Sequence, residues 1–235
     1  MDIITKGKAK SMLSHEDNNS LIMHFRDDTS AFNGLKTEAI VGKGYLNNQF
    51  NYFIMKHLEK HNIETHIVQL INETDCLVHK MQMFPIECVI RNRAAGSICK
   101  RLGLEQGLIF ETPLFEFFLK DDHLGDPLIT EEHILLFKWA NQEQINEMKR
   151  LTHTVNNILS TLFLQSGFIL VDFKLEFGVH NGKILLADEF TPDGCRLWDV
   201  NTLEKMDKDR FRLGLGSVIE SYRAVAIKIG VPLIT

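Results

Sequence analysis

The stretch GFILVDFKLEFGVHNGKILLADEFTPDGCRLWD, residues Gly167–Asp199, decides how this chain is built. Side chains alternate across a strand, so Ile169, Val171, Phe173, Leu175 and Phe177 share one face. Asp172, Lys174 and Glu176 share the other, with Leu170 beside them, so that second face is not simply solvent. HNG is a turn signal, and KILLADE returns toward the first strand. A strict two-residue turn at Asn181-Gly182 sets Glu176 opposite Ala187 and sends Asp188 to the far face. A three-residue loop that includes His180 sets Asp188 opposite Lys174 instead, and both geometries are common. In the plain reading, Lys174 bridges two acids on an exposed strand and contributes about 0–1 kcal/mol. In the functional one, Glu176 and Asp188 grip a hard divalent cation, which requires the longer loop or a bulge. Carboxylate oxygens with no His/Cys cluster beside them suit magnesium better than zinc.

Upstream of this hairpin the hydrophobic period changes several times. SMLSHED and SLIMHFR read as short strands separated by a polar turn. In GKGYLNNQFNYFIMKHLEKHNI, Phe50, Phe53, Ile54 and Leu58 recur at helical spacing and predict a helix with one buried face. ETHIVQLINETDCLVHK is strand-like around an NETD turn, and IECVI has the scarcity of polar residues expected of an interior strand. Gly103 to Asp126 is mixed and closes in a turn at Gly125 and Pro127. Thr130 suits a helix start, and a longer helix runs from about Gln142 to Leu164, burying Ile145, Met148, Leu151, Val155, Ile158, Leu159 and Leu162. DKDRFRLGLGSVIESYRAVAIKIG supplies one closing helix. The division is a β-rich N-terminal lobe, residues 1–85, joined to an α/β lobe, residues 86–235.

The 235 residues, 44% of them hydrophobic, suffice for a sizeable core. A net charge of -5 and a pI near 6.1 argue against a surface built for nucleic acid, while leaving room for a local basic pocket. Cys76, Cys88, Cys99 and Cys195 match no CxxC site, so a reduced, cytoplasmic protein is expected. The opening residues carry no apolar signal segment and no long apolar run occurs, so no membrane role is expected.

Other constellations supply positive charge. In TKGKAK, Gly7 allows a close backbone approach, and Lys6, Lys8 and Lys10 alternate along an extended segment, a row suited to a polyphosphate or to an ordinary solvated edge. The spacing is not that of a Walker loop. In VIRNRAAGSICKR, Arg91 and Arg93 precede a small-residue stretch, and arginine forks match carboxylates and phosphates; two surface arginines at a strand end are the alternative. FRDDTSAFNG and TPDGCRLWD are polar loops beside apolar strands, where Arg196 is the suggestive residue and Trp198 is either a lid or core. The histidines show no metal-ligand spacing, and no GxSxG elbow or Cys–His pair is legible.

The strings GKAK, FRDDTSAFNG, ECVIRNRAAGS, GDP, LVDFKLEFG, ADEFTPDGCRLWD and DKDRFR occur in this order. Together they resemble the SAICAR synthetase (phosphoribosylaminoimidazole-succinocarboxamide synthase) family in its compact bacterial form, over nearly the whole chain. The resemblance implies a two-lobed α/β (α+β) fold, broadly like ATP-grasp and kinase nucleotide binders. It implies an ATP- and Mg2+-dependent ligase that joins carboxyaminoimidazole ribonucleotide (CAIR) to L-aspartate. By its motifs Lys8 and Lys10 approach the phosphates, backbone near Lys80–Met83 holds adenine, and Glu176 and Asp188 hold the metal. Arg91, Ser97 and Arg196 hold the ribonucleotide, with Arg91 and Ser97 near its phosphate. Asp172, Lys174, Asp193 and Arg212 complete the cleft, and Asp126 belongs to the substrate side. Asp172 is a candidate base, Asn33 a hydrogen-bonding contact, and a homo-oligomer, at least a dimer, is suggested by the likeness alone.

Overall fold

The computed structural model describes residues 2–31 and 35–233, so Asn33 lies outside the described residues. β1 (Ile3–Lys6), β2 (Lys10–Ser14) and β3 (Ser20–Phe25) form an antiparallel meander, followed by a separate arm of β4 (Asp28–Ala31) and β5 (Lys36–Ala39). Then come α1 (Lys43–Lys60) and a hairpin of β6 (Ile67–Leu70) and β7 (Asp75–His79) around the NETD turn. The strand order β1-β2-β3-β7-β6 makes a five-stranded antiparallel sheet. As the helical spacing predicts, α1 buries Phe50, Ile54 and Leu58 on one face.

The chain then crosses into a second antiparallel sheet. Its elements are β8 (Gln82–Arg93), α2 (Ser97–Leu102), β9 (Ile109–Leu119), β10 (Leu128–Ile129), α3 (Glu131–Leu136), α4 (Gln142–Gln165), β11 (Phe168–His180), β12 (Lys183–Ala187) and β13 (Cys195–Asp199). The sheet runs β10-β9-β8-β11-β12, with β13 also on β11. Helix α4 starts on a capping box: the Asn141 side chain accepts from the Gln144 backbone N–H at 2.9 Å and the Gln144 side chain returns the bond. Its buried stripe is Ile145, Met148, Leu151, Val155, Leu159 and Phe163, while Ile158 and Leu162 are partly buried at its edge. Phe50 of α1 stacks on Phe163 of α4, Phe163 on Phe190, and Phe190 meets Phe173 of β11. One apolar core therefore runs through both sheets.

Three expectations are corrected. The mixed stretch between Gly103 and Asp126 holds β9, 11 residues long, whose exposure does not alternate cleanly and whose sequence contains Pro113. The closing helix is two pieces, α5 (Asp209–Arg212) and α6 (Val218–Ile229), interrupted where Gly214, Gly216 and Ser217 all take positive φ. Lys6, Lys8 and Lys10 do not form one row: Lys6 ends β1, Lys8 sits in the β1–β2 turn closed by Gly7 N–H to Lys10 O, and Lys10 begins β2. No helix among the described residues is long and apolar enough to cross a membrane.

Candidate functional site

Strand β11 organises the site because two strands share one of its edges end to end. β13 pairs with Phe168–Phe173 and β12 with Glu176–His180. Between them the edge is open, and the connecting loop returns there, with Lys174 N–H donating to Gly194 O at 3.2 Å. On the other edge β8 places Arg91 opposite Asp172 and Glu87 opposite Glu176. The charged face of β11 thus looks into a cleft of about 820 Å³ between the two sheets.

The hairpin turn is the strict two-residue one: His180 pairs with Lys183 and Glu176 with Ala187. That register was expected to send Asp188 away. It does not, because Asp188 leaves the strand in the left-handed conformation, φ 58°, and turns its carboxylate back. Asp188 Oδ2 lies 3.3 Å from Lys174 Nζ, and Lys174 also pairs with Glu176 and with Glu87 at 3.1 Å. Lys10 Nζ reaches Asp188 at 2.6 Å and Glu189 at 3.2 Å, and Lys120 takes the other Glu176 oxygen. Burial works against the charges on Lys10 and Lys174, yet their acidic neighbours outweigh it and raise both pKa values. Burial likewise opposes the Asp188 carboxylate, but Lys10 and Lys174 hold it well below the usual range. All three groups are ionised at neutral pH.

A second cluster lies toward β13. Asp172 is buried and accepts from Arg91 Nη1 at 2.8 Å and from Arg196 Nη1 at 2.9 Å. Arg91 also donates to Glu116 at 2.7 Å and, at 3.4 Å, to the Ser97 hydroxyl. Arg196 continues to Asp209 at 2.8 Å, and Asp209 to Arg212 at 2.5 Å. The backbone at Gly96, at φ 66°, sits against the Arg196 guanidinium, where an added Cβ would lie 2.4 Å from Nη2 and would displace it. Arg93 does not reach the cleft lining, and Trp198 is 4% exposed, packed with Ala95 and Val171 as core.

Asp193 is engaged on both oxygens. Oδ2 accepts from Lys43 Nζ at 2.6 Å and Asn47 Nδ2 at 3.0 Å, while Oδ1 accepts from Tyr222 O–H at 2.7 Å. At the mouth, Lys8 bridges to Asp122 at 2.7 Å, and Asp126 Oδ1 accepts the Asp121 N–H within the same loop. An apolar wall of Met12, Leu21, Met23, Met81 and Met83 faces these charges.

Gly7, Lys8, Lys10, Met83, Arg91, Ser97, Asp126, Asp172, Lys174, Glu176, Asp188, Asp193, Arg196 and Arg212 all line this one cleft. Lys80 does not; its N–H donates to Asn19 O and its carbonyl faces the His180 ring. The sequence reading missed Glu87, Lys120, Asp122, Glu189, His66 and Lys208, which line it too. A lone acid within the apolar run IECVI was the available signal for Glu87. His66 is buried and its pKa falls to about 4, chiefly through burial, so its ring is neutral. Among the described residues no group of three His, Cys, Asp or Glu side chains could hold a metal ion.

The model of the family described as SAICAR synthetase matches residues 3–229. The phosphoribosylaminoimidazole-succinocarboxamide synthase of Alteromonas mediterranea is 55% identical over 233 residues, 99% of this chain and 98% of the relative. The crystal structure of that synthase from Ehrlichia chaffeensis is 46% identical and superposes with a TM-score of 0.97, covering 99% of this chain and 100% of the other. A SAICAR synthetase solved in complex with ADP is 41% identical, with a TM-score of 0.94 over 98% of this chain and 99% of the other. Matched from its first strand to its last helix, the chain belongs to the SAICAR synthetase family.

Proposed function

We propose a division of labour within the cleft for the reaction of this family. The chain is an ATP-dependent ligase that joins the carboxylate of CAIR to the amine of L-aspartate, giving SAICAR, ADP and phosphate. A carboxylate is a poor acyl donor because oxide would have to leave. In our reading its oxygen first attacks the γ-phosphorus as the bond to ADP breaks. The aspartate nitrogen then bonds to the acyl carbon of the acyl phosphate, and phosphate departs, taking up the proton that the nitrogen loses. The protein's task is alignment and neutralisation of charge on the phosphoryl oxygens.

The N-terminal lobe, to about residue 85, is the nucleotide side, with adenine in the methionine-lined slot by Met81 and Met83. Gly7, Lys8 and Lys10 face the phosphates. Glu176 and Asp188 are the proposed magnesium ligands. The donor set fits that ion: two carboxylates with no third protein ligand leave positions for phosphate oxygens and water. Magnesium would supply neutralisation of the triphosphate. Four acids, Glu87, Glu176, Asp188 and Glu189, meet three lysines, Lys10, Lys120 and Lys174, which leaves one negative charge in excess for a cation, and the ammonium groups are placed to turn toward phosphate oxygens. Arg91, Ser97 and Arg196 are the ribonucleotide side, with Asp126 and Arg212 beside them. Asp172 serves by holding Arg91 and Arg196 in register; a base role requires one of those guanidinium bonds to open. The same reading has the chain act in the cytoplasm as a homo-oligomer, at least a dimer.

The observation that supports this reading best is the meeting of Glu176 and Asp188 on one ammonium, that of Lys174. The test is the complete assay with ATP, CAIR and L-aspartate, each omitted in turn. Amide formation that needs all three is expected. Release of ADP with a stable phosphorylated product, indifferent to aspartate, would make it a kinase.

A further inference from the structure

Lys208 stands apart from the other buried cations of the cleft. Lys10, Arg91, Lys174, Arg196 and the deeper Lys43 each have a carboxylate within ion-pair distance, as do the more exposed Lys120 and Arg212. Lys208 is 8% exposed and lines the cleft, yet among the described residues its ammonium makes no hydrogen bond or ion pair. Its backbone is anchored, N–H to Pro192 O at 3.1 Å and carbonyl to Arg212 N–H at 3.0 Å, which fixes where the side chain starts. Burial lowers its pKa; Asp193 is the strongest opposing charge, with Arg212 and Lys43 adding to the depression.

Three of the acids around it are bound elsewhere, and a fourth, Glu189, is paired with Lys10 at 3.2 Å. Asp193 is taken by Lys43, Asn47 and Tyr222. Asp207 accepts the Leu197 and Asp209 N–H groups, and Asp209 holds Arg196 and Arg212. An ammonium kept out of water without a partner is costly to the folded state unless an anion arrives to complete it.

We infer that Lys208 is the receptor for a substrate oxyanion, either a carboxylate of L-aspartate or the phosphate of the ribonucleotide. This rests on the ligase reading above. Lys10 and the Glu176–Asp188 cluster are already assigned to the nucleotide phosphates, so ATP is not the expected donor of that oxyanion. The inference predicts an unusual pairing of effects: substrate binding suffers while the unliganded fold does not.

The test compares Lys208→Met and Lys208→Arg in the full chain by KM for each of the three substrates and by thermal melts without ligand. For Lys208→Met, the KM of one anionic substrate should rise about 10- to 100-fold, as for a lost charge-assisted hydrogen bond. The KM for ATP should stay within about twofold, and Tm should change little, because burial and the Arg212 and Lys43 charges offset the attraction between Lys208 and Asp193. Lys208→Arg should recover part of the loss. A rise confined to aspartate identifies its carboxylate; a rise confined to CAIR identifies its phosphate. Unchanged KM values for both, or a lowered Tm with all three KM values raised alike, would overturn the inference. If the unsubstituted protein shows no aspartate-dependent turnover, the ligase reading fails; turnover that is present but indifferent to Lys208→Met sinks this inference alone.

Discussion

Two acid–lysine clusters made of the same ingredients behave differently in this cleft. Around Asp193 both carboxylate oxygens have their partners, Lys43 is 0% exposed and Asp193 4%. Around Glu176 and Asp188, Lys174 is shared among three carboxylates, and Lys120 is 47% exposed. The first is sealed, with one arrangement of bonds. The second is open on the cleft side and can trade one set of partners for another. An ion pair's location therefore separates a rivet from a site more reliably than its residue types do.

The sealed cluster should break hardest. Lys43→Met leaves the Asp193 carboxylate buried and short of a partner, a loss of about 3–5 kcal/mol read by urea unfolding. Adding Asp193→Asn should return most of it. Burial pushes the Asp193 pKa up, but Lys208 and Lys43 outweigh it and leave it depressed. Its stabilising contribution is then present above the unfolded carboxyl pKa, about 3.9, and fades as pH falls through the lower folded value. The wild type should lose stability on acidification more steeply than the double variant; parallel pH profiles would contradict this.

The open cluster should lose activity before stability. Glu176→Gln is expected to lower magnesium-dependent turnover about 10²- to 10³-fold, while the melting curve moves little, because Lys174 keeps Glu87 and Asp188. Equal loss of fold and activity would mark Glu176 as structural. Lys120→Met should give the smallest effect. Lys120 is 47% exposed and the buried Glu176 keeps Lys174, so the loss to folding is about 1 kcal/mol or less, and a few-fold rise in the KM for ATP is its expected signature. A large stability loss there would erase the contrast between the clusters.

Local rules made much of this architecture legible. The helical spacing of Phe50, Ile54 and Leu58, the Asn141 start of α4 and the Asn181-Gly182 hairpin each depend on neighbours in sequence. Among the described residues, the site residues named from the ordered motif strings, Lys80 excepted, all line the cleft. What stayed hidden was long-range: Lys174 finds Glu87 from 87 positions away, and Lys120 finds Glu176 from 56. β9 was missed because a strand with one half-covered face has no clean period. The hairpin register itself was read correctly as one of two options. Its consequence was not, because a single left-handed residue after the strand reverses the direction that alternation assigns.

That residue is selected by two independent demands. At φ 58° most L-amino acids are strained by roughly 1–2 kcal/mol, whereas Asp and Asn adopt the conformation comparatively readily. Asp188 is thus the side chain that satisfies both the backbone and the need for an anion. Glutamate would keep the charge and forfeit the bend; asparagine would keep the bend and forfeit the charge. Swaps that look conservative by either criterion alone fail at this corner, so protein engineers should treat its shape and its electrostatics as one inherited unit.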